Sequence, residues 1–321
     1  MNTTSSDLHV ILGTGPMGTG VARELIRRGN KHIRMVNRSG NAPLDLAGGG
    51  DNVEVVKGDV YNAASVRTLT KGALVVYQCA QPAYSEWTTK FPPMQAAIVE
   101  GVAANNAKLI VTENLYMYGE VDGPIHEGLP YAAHTKKGKI RAQLSQALLD
   151  AFKQGKLRVA IARGSDFFGP NDAVSGDLTY RPALAGKTVN AIGKLDMPHT
   201  YTFTEDFAKT LVILGERDEA LGQAWHSPNA PTVTTREYLA LIFKAAGTPF
   251  KASAANKLML QALGLFVPNV REVVEMYYEF AKPFVVDHSK FVKAFGNHAT
   301  PLEEAVARTV AWFRQHPQTA H

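Results

Sequence analysis

Residues 8–18 read Leu8-His9-Val10-Ile11-Leu12-Gly13-Thr14-Gly15-Pro16-Met17-Gly18. An apolar run, interrupted only by His9, leads directly into Gly-x-Gly-x-x-Gly. Val21, Leu25 and Ile26 then recur at helical spacing, with Arg23, Glu24, Arg27 and Arg28 on the opposite side. Gly29-Asn30 is a usual helix stop, and Ile33 to Val36 reads as a second strand. Strand, glycine turn, helix and strand within roughly 30 residues make a βαβ unit.

Each glycine has a separate physical task. Gly13 permits the tight turn, Gly15 lets the backbone approach a pyrophosphate, and Gly18 lets helix and strand pack closely. The helix N-terminus favours negative charge. The loop Gly13, Thr14, Gly15, Pro16, Met17 and Gly18 is therefore expected to hold a dinucleotide. NAD binders place Asp or Glu about 20 residues further on, against the ribose hydroxyls. Here the second strand ends Val36-Asn37-Arg38-Ser39. With no carboxylate there, Arg38 is expected to clamp a 2′-phosphate, helped by Asn37 and Ser39. NADP(H) is the expected cofactor, with NAD the alternative.

Outward from this unit, strands alternate with helices. Val53 to Val56, Leu74 to Tyr77, Leu109 to Thr112 and Arg158 to Ala162 read as strands, and Ala96 to Ala104 and Gln143 to Phe152 as helices. The pattern predicts an α/β Rossmann fold with a doubly wound parallel sheet. Ligands in such sheets sit at the carboxyl ends of the strands. That gathers the Gly13 loop, Arg38, Asp59, Val60, Ala80 to Trp87, Asn114 and Gly164 to Phe168 around one crevice. After Pro170 the pattern changes. Thr204 to Leu214 and Thr235 to Ala246 read as helices, with a strand near Trp225 between them. Residues 1–165 and 200–229 are assigned to the dinucleotide domain, and 166–199 and 230–321 to a smaller, interleaved substrate-binding subdomain.

Composition narrows the function. The 321 residues include 34 Lys+Arg and 29 Asp+Glu, a formal net charge of +5, with 45% hydrophobic residues. The basic residues are dispersed, so no nucleic-acid patch is expected. Apolar runs fall short of the ~18 residues of a membrane helix, and the first residues lack a signal-peptide pattern. A cytoplasmic protein without a membrane partner is expected. The single cysteine, Cys79, excludes an internal disulfide framework and a cysteine-built zinc site. His126, His134 and His199 stand apart in sequence, and no metal site is expected.

Several segments together resemble an extended, atypical short-chain dehydrogenase/reductase of the NAD-dependent epimerase/dehydratase family. They are Gly58-Asp59-Val60, Val111 to Gly119 with its Tyr118-Gly119 ending, Arg163 to Pro170, Ala185-Gly186-Lys187 and Tyr201 to Ala208. The resemblance spans nearly the whole chain. It implies an oxidoreductase with Asp59, Val60 and Ala80 at the cofactor and a homodimer paired through two long helices.

Two departures bear on chemistry. The family's proton-transfer motif is Tyr-x-x-x-Lys. The matching stretch, Thr135-Lys136-Lys137-Gly138-Lys139, keeps Lys139 for the nicotinamide ribose but has Thr135 in the tyrosine's place. Asn114 stands where the family has its catalytic Ser or Thr. An aliphatic hydroxyl is a far poorer acid than a phenol of pKa ≈ 10. Another group must therefore stand in for the tyrosine, and Tyr116, Tyr118, Tyr131, His134, Tyr84 and Trp87 are the candidates. Tyr278 and Lys282 also form a Tyr-x-x-x-Lys, read as chance and core packing. Lys139, Thr135, Asn114 and Tyr116 are the expected catalytic set, and Tyr84, Trp87, Tyr131 and Asp166 the expected substrate contacts. The leading expectation is an NADP(H)-linked oxidoreductase acting on a small carbonyl, hydroxyl or sugar-like substrate. The alternatives are an epimerase or dehydratase that retains its cofactor, and a non-catalytic NADP(H) sensor.

Overall fold

The computed structural model describes residues 7–30, 32–43, 46, 52–265 and 274–317. Seven strands build the central sheet: β1 (Leu8–Leu12), β2 (Ile33–Asn37), β3 (Val53–Lys57), β4 (Ala73–Gln78), β5 (Lys108–Glu113), β6 (Arg158–Arg163) and β7 (Ala224–His226). Their order is β7-β6-β5-β4-β1-β2-β3, and every neighbouring pair is parallel. The chain reverses its winding between β1 and β4, which opens a crevice at the carboxyl ends of the strands. His9 to Leu12 run in register with Ile33 to Val36 on one side and Val75 to Gln78 on the other.

Five helices cover the sheet: α1 (Pro16–Arg27), α2 (Ala63–Leu69), α3 (Trp87–Ala103), α4 (Lys136–Lys153) and α5 (Thr204–Glu216). Val21 and Leu25 of α1 and Phe207 and Leu211 of α5 pack on one face against Ile11, Met35 and Val75. On the other face Val66 of α2, Trp87, Phe91 and Ile98 of α3, and Leu144 and Leu148 of α4 cover Val10, Val76, Leu109 and Val159. A separate core joins Phe168, Tyr180 and Phe203 to helices α6 (Thr235–Ala246) and α7 (Leu302–Gln315). Thr234 and Glu237 form a reciprocal capping box at the start of α6.

The sequence places a helix over Ala96 to Ala104, but α3 starts nine residues earlier, at Trp87. Pro92 and Pro93 lie inside it. Proline in a helix interior removes a donor and usually breaks the helix. Here Trp87, Phe91, Met94 and Ile98 form an apolar stripe that is 5% exposed or less, and its burial outweighs the propensity penalty. The sequence also offers Leu258 to Val267 as an apolar stretch and Val273 to Phe280 as an aromatic helix; Phe266, Val267 and Val273 lie outside the described residues. No described helix is long and apolar enough to cross a membrane.

The glycine turn shows why its residues are fixed. Gly13 has φ +108°, and a Cβ there would lie 2.8 Å from the backbone N of Ala80. A Cβ on Gly18 would lie 2.0 Å from the carbonyl oxygen of Gly13. Gly18→Ala must therefore push α1 off the β1 turn. We expect a loss of stability above about 2 kcal/mol, read as a lowered urea midpoint at unchanged m-value.

Candidate active site

The first part of the site is the cradle at the start of α1. Gly15 is the N-cap, it offers no side-chain cap, and Pro16 follows as the first helical residue. A Cβ on Gly15 would meet nothing within 4 Å. The turn therefore leaves uncapped backbone donors beside open space, which suits a pyrophosphate. Asn37 organises the edge of the crevice. Its Nδ2 donates to Thr14 Oγ1 (3.1 Å) and to the Asn41 carbonyl (2.8 Å), and its Oδ1 accepts from the Ser39 and Gly40 amides. Ser39 Oγ joins the same loop through Asn37 Oδ1. Asn37 and Ser39 thus shape the loop, while Arg38 is exposed and forms no side-chain hydrogen bond or ion pair among the described residues. Asp59 is exposed, accepts from the Tyr61 amide and receives no other side chain; Val60 lies beside it, half-buried. Ala80 lies at the end of β4, against Gly13.

The second part is a buried polar core beneath the crevice. Arg163, at the end of β6, and Glu113, at the end of β5, have side chains 0% exposed and pair at 3.0 Å. Arg163 Nη1 donates to the Tyr118 hydroxyl (2.5 Å), and Nη2 donates to Ser145 Oγ of α4 (2.6 Å) and to the Tyr131 hydroxyl. The Tyr118 hydroxyl also meets His226 Nε2 at 2.9 Å, while His226 Nδ1 lies 2.9 Å from the Asp287 carbonyl. This geometry fits a neutral imidazole that donates from Nδ1 and accepts at Nε2. Tyr131, a candidate acid from sequence, is thus held by Arg163 and Ser145. Tyr118 is likewise structural, as its Tyr-Gly context suggests.

The third part lines the crevice. Asn114 Oδ1 accepts from the Tyr116 amide (3.3 Å) and shapes the turn after β5. That turn presents Tyr116, whose hydroxyl lies 3.4 Å from the Tyr84 hydroxyl. Trp87 is 5% exposed. It packs edge-on to Tyr84 at 5.0 Å and 6.1 Å from Tyr116, so it supports the two tyrosines from behind. Lys137 Nζ sits 4.5 Å from the centre of the Tyr84 ring and 3.1 Å from Glu275 Oε1. Glu275 also accepts from the Lys136 and Lys137 amides, at 3.2 and 3.4 Å. Thr135 is the N-cap of α4 and accepts from the Gly138 amide at 3.1 Å. Its hydroxyl therefore has a capping partner.

Helical phase separates the two lysines. Lys137, Arg141, Leu144, Ser145 and Leu148 form the buried face of α4, whereas Lys139 is exposed and has no side-chain partner among the described residues. Lys137 was legible only as one of a basic pair. Glu275, Glu279 and the His199 partner of Asp166 also went unrecognised, because nothing local in the sequence ties them to the crevice. Tyr278, set aside as packing, faces His134 at a ring distance of 5.2 Å, while Lys282 pairs with Glu120 on the surface. Glu279 is 2% exposed. Burial holds its carboxyl well above the usual range, the Asp166 carboxylate adds to the rise, and the Tyr278 hydroxyl opposes it. Burial also raises the phenols of Tyr84 and Tyr116, as do Glu279 and Asp166.

A dinucleotide cradle, a Rossmann sheet and a tyrosine–lysine cluster in the crevice define a short-chain dehydrogenase/reductase-type enzyme. The model of the NAD dependent epimerase/dehydratase family matches residues 10–225, and the chain belongs to that family. Among solved structures, it resembles a dTDP-glucose 4,6-dehydratase double mutant from Streptomyces venezuelae with NAD and DAU bound. The TM-score is 0.79 at 15% identity, over 96% of this chain and 97% of that one. The enzyme WbmH of Bordetella bronchiseptica, in complex with NAD+, gives a TM-score of 0.73 at 21% identity, over 96% and 99% of the two chains. UDP-glucuronic acid 4-epimerase from Bacillus cereus, with UDP-glucuronic acid and NAD, gives 0.77 at 14% identity, over 96% and 100%. No curated protein sequence matches the chain.

The buried imidazole gives the site an acid limit. Burial above all, with nearby Arg163, lowers the His226 pKa to about 3 against the opposing pull of the Asp287 carbonyl. Below the unfolded-state value of about 6.5 the unfolded chain binds a proton that the folded chain refuses, so stability falls with pH. Unfolding midpoints measured between pH 7 and pH 4 are expected to drop. His226→Gln is expected to flatten that drop by at most about 1.4 kcal/mol per pH unit.

Proposed function

We propose that the chain is an NADP(H)-linked oxidoreductase that reduces a small carbonyl compound, with Tyr116, backed by Tyr84, as proton donor. The observation that carries this reading is the pair of hydroxyls 3.4 Å apart at the mouth of β4 and β5, with Lys137 over the Tyr84 ring. The residues fit a nicotinamide dinucleotide: the open Gly15 turn takes the pyrophosphate, and Arg38 stands ready for a 2′-phosphate. When bound, the reduced cofactor supplies hydride to the carbonyl carbon. The protein's task is to orient that carbonyl and deliver one proton to its oxygen.

Tyr116 is suited to delivery. Its phenol is protonated at neutral pH, burial makes it a weaker acid than a free phenol, and Tyr84 beside it can pass a replacement proton inward from the crevice. Lys137, over the face of the Tyr84 ring and paired with Glu275, is the cation of the cluster, and Lys139 stays assigned to the cofactor ribose. Thr135 and Asn114 act through the backbone turns they hold. The same reading carries a cytoplasmic homodimer paired through α3 and α4.

The test is incubation of purified protein with NADPH deuterated at the transferable position and a small-molecule extract. A deuterated product is expected. Saturable NADPH binding with no labelled product returns the case to a cofactor-retaining epimerase or a sensor. Tyr116→Phe is expected to lower kcat roughly 10²- to 10⁴-fold, the usual share of general acid catalysis, at unchanged NADPH affinity. Arg38→Ala is expected to weaken NADPH about ten- to a hundredfold and leave NADH binding alone. Comparing Lys137→Met with Lys139→Met separates the two lysines: loss of kcat is expected from the first, and weaker cofactor binding from the second.

A further inference from the structure

Asp166 and His199 lie far apart in sequence and meet at the edge of the crevice. His199 Nε2 holds Asp166 Oδ2 at 2.7 Å. The imidazole is 1% exposed and is stacked on Phe280 (4.9 Å, 4°) and Phe284 (5.2 Å, 19°). The histidine is thus immobilised, and through it one oxygen of the carboxylate. The Asp166 side chain remains 32% exposed, and its Oδ1 has no partner among the described residues. Asp166 follows β6 at the carboxyl edge of the sheet, the edge from which the turns after β4 and β5 carry Tyr84 and Tyr116, so a fixed acceptor stands at the same crevice as those phenols. Of the other carboxyl groups there, Glu275 is bound to Lys137, and Glu279 is buried, its carboxyl held above the usual range by desolvation. Lys136 and Lys257 are exposed, in a cleft of about 660 Å³ at the start of α4.

We infer that Asp166, pinned by His199, is the specificity-determining acceptor of this site: it binds a hydroxyl on the carbon next to the reacting carbonyl, so the substrate class is the uncharged α-hydroxy carbonyl compounds. This rests on the reductase reading above. A carboxylate accepting from a hydroxyl makes a charge-assisted hydrogen bond, and a site built to bond a hydroxyl rejects the analogue that lacks it. An acid group at the same position of the substrate meets Asp166 as a like charge.

The test compares 3-hydroxybutan-2-one, butan-2-one and pyruvate as probes. Binding is read by saturation-transfer NMR on protein with saturating NADP+ or NAD+, where no reduction occurs. NADPH consumption is read separately. The hydroxyketone is expected to bind about ten- to a hundredfold more tightly than the plain ketone. Asp166→Asn is expected to bring that ratio within threefold, as is Asp166→Ser should the amide variant not fold. Equal binding of the two ketones by the native protein, a ratio that survives both variants, or tighter binding of pyruvate overturns the inference. A hydroxyl preference that depends on Asp166, without NADPH consumption by any probe, upholds the acceptor role and sinks the reductase reading.

Discussion

The buried guanidinium of Arg163 is the constraint on which the rest of the site depends. It ties the ends of β5 and β6 to α4 and to the turns carrying Tyr118 and Tyr131, and through Tyr118 it reaches His226 on β7. A charge so deep survives only if every donor is met. Its partners come from three stretches of chain: Glu113 with Tyr118, Tyr131, and Ser145. Removing one member of such a pair costs about 3–5 kcal/mol. The network therefore fixes how β5, β6 and the start of α4 lie relative to one another, and these carry Tyr116 and Lys137 into the crevice. Arg141 continues the arrangement: it donates to the Thr112 carbonyl at 3.2 Å and packs on Phe91 and Trp87. The layer beneath the tyrosine pair is thus largely paired, with Glu113 Oε1 and Arg141 Nε its unpartnered atoms among the described residues.

The fold was largely legible because its signals are local. A glycine turn between an apolar strand and an amphipathic helix needs few residues to declare itself, and Gly13, Gly15 and Gly18 fill the geometric roles their spacing implies. The start of α3 was hidden because Pro92 and Pro93 carry a strong local signal against helix. The opposing term, burial of Trp87 and Phe91, exists only once α4 and the sheet are in place.

The site was legible only in outline. Matching Thr135-Lys136-Lys137-Gly138-Lys139 to a motif assigns roles by spacing alone. The structure makes Thr135 the cap of α4, and a cap fixes the phase of every following side chain. In that phase Lys137 faces the tyrosines and Lys139 faces out. The pairing of Asp166 with His199 and the approach of Glu275 to α4 span 33 and 138 residues. No local pattern encodes contacts of that range.

Burial sets how hard these groups are to ionise. Desolvation raises the pKa of Tyr84, Tyr116 and Glu279, and Asp166 adds to each rise. A phenol raised in this way is a weaker acid than a free one, so giving up its proton costs more. Reduction, epimerisation and dehydration through this phenol all pass through its phenolate, and all meet that cost in a crevice that also holds a carboxylate. Lys137 lies over the Tyr84 ring, and its pairing with Glu275 limits how far its charge can offset that cost.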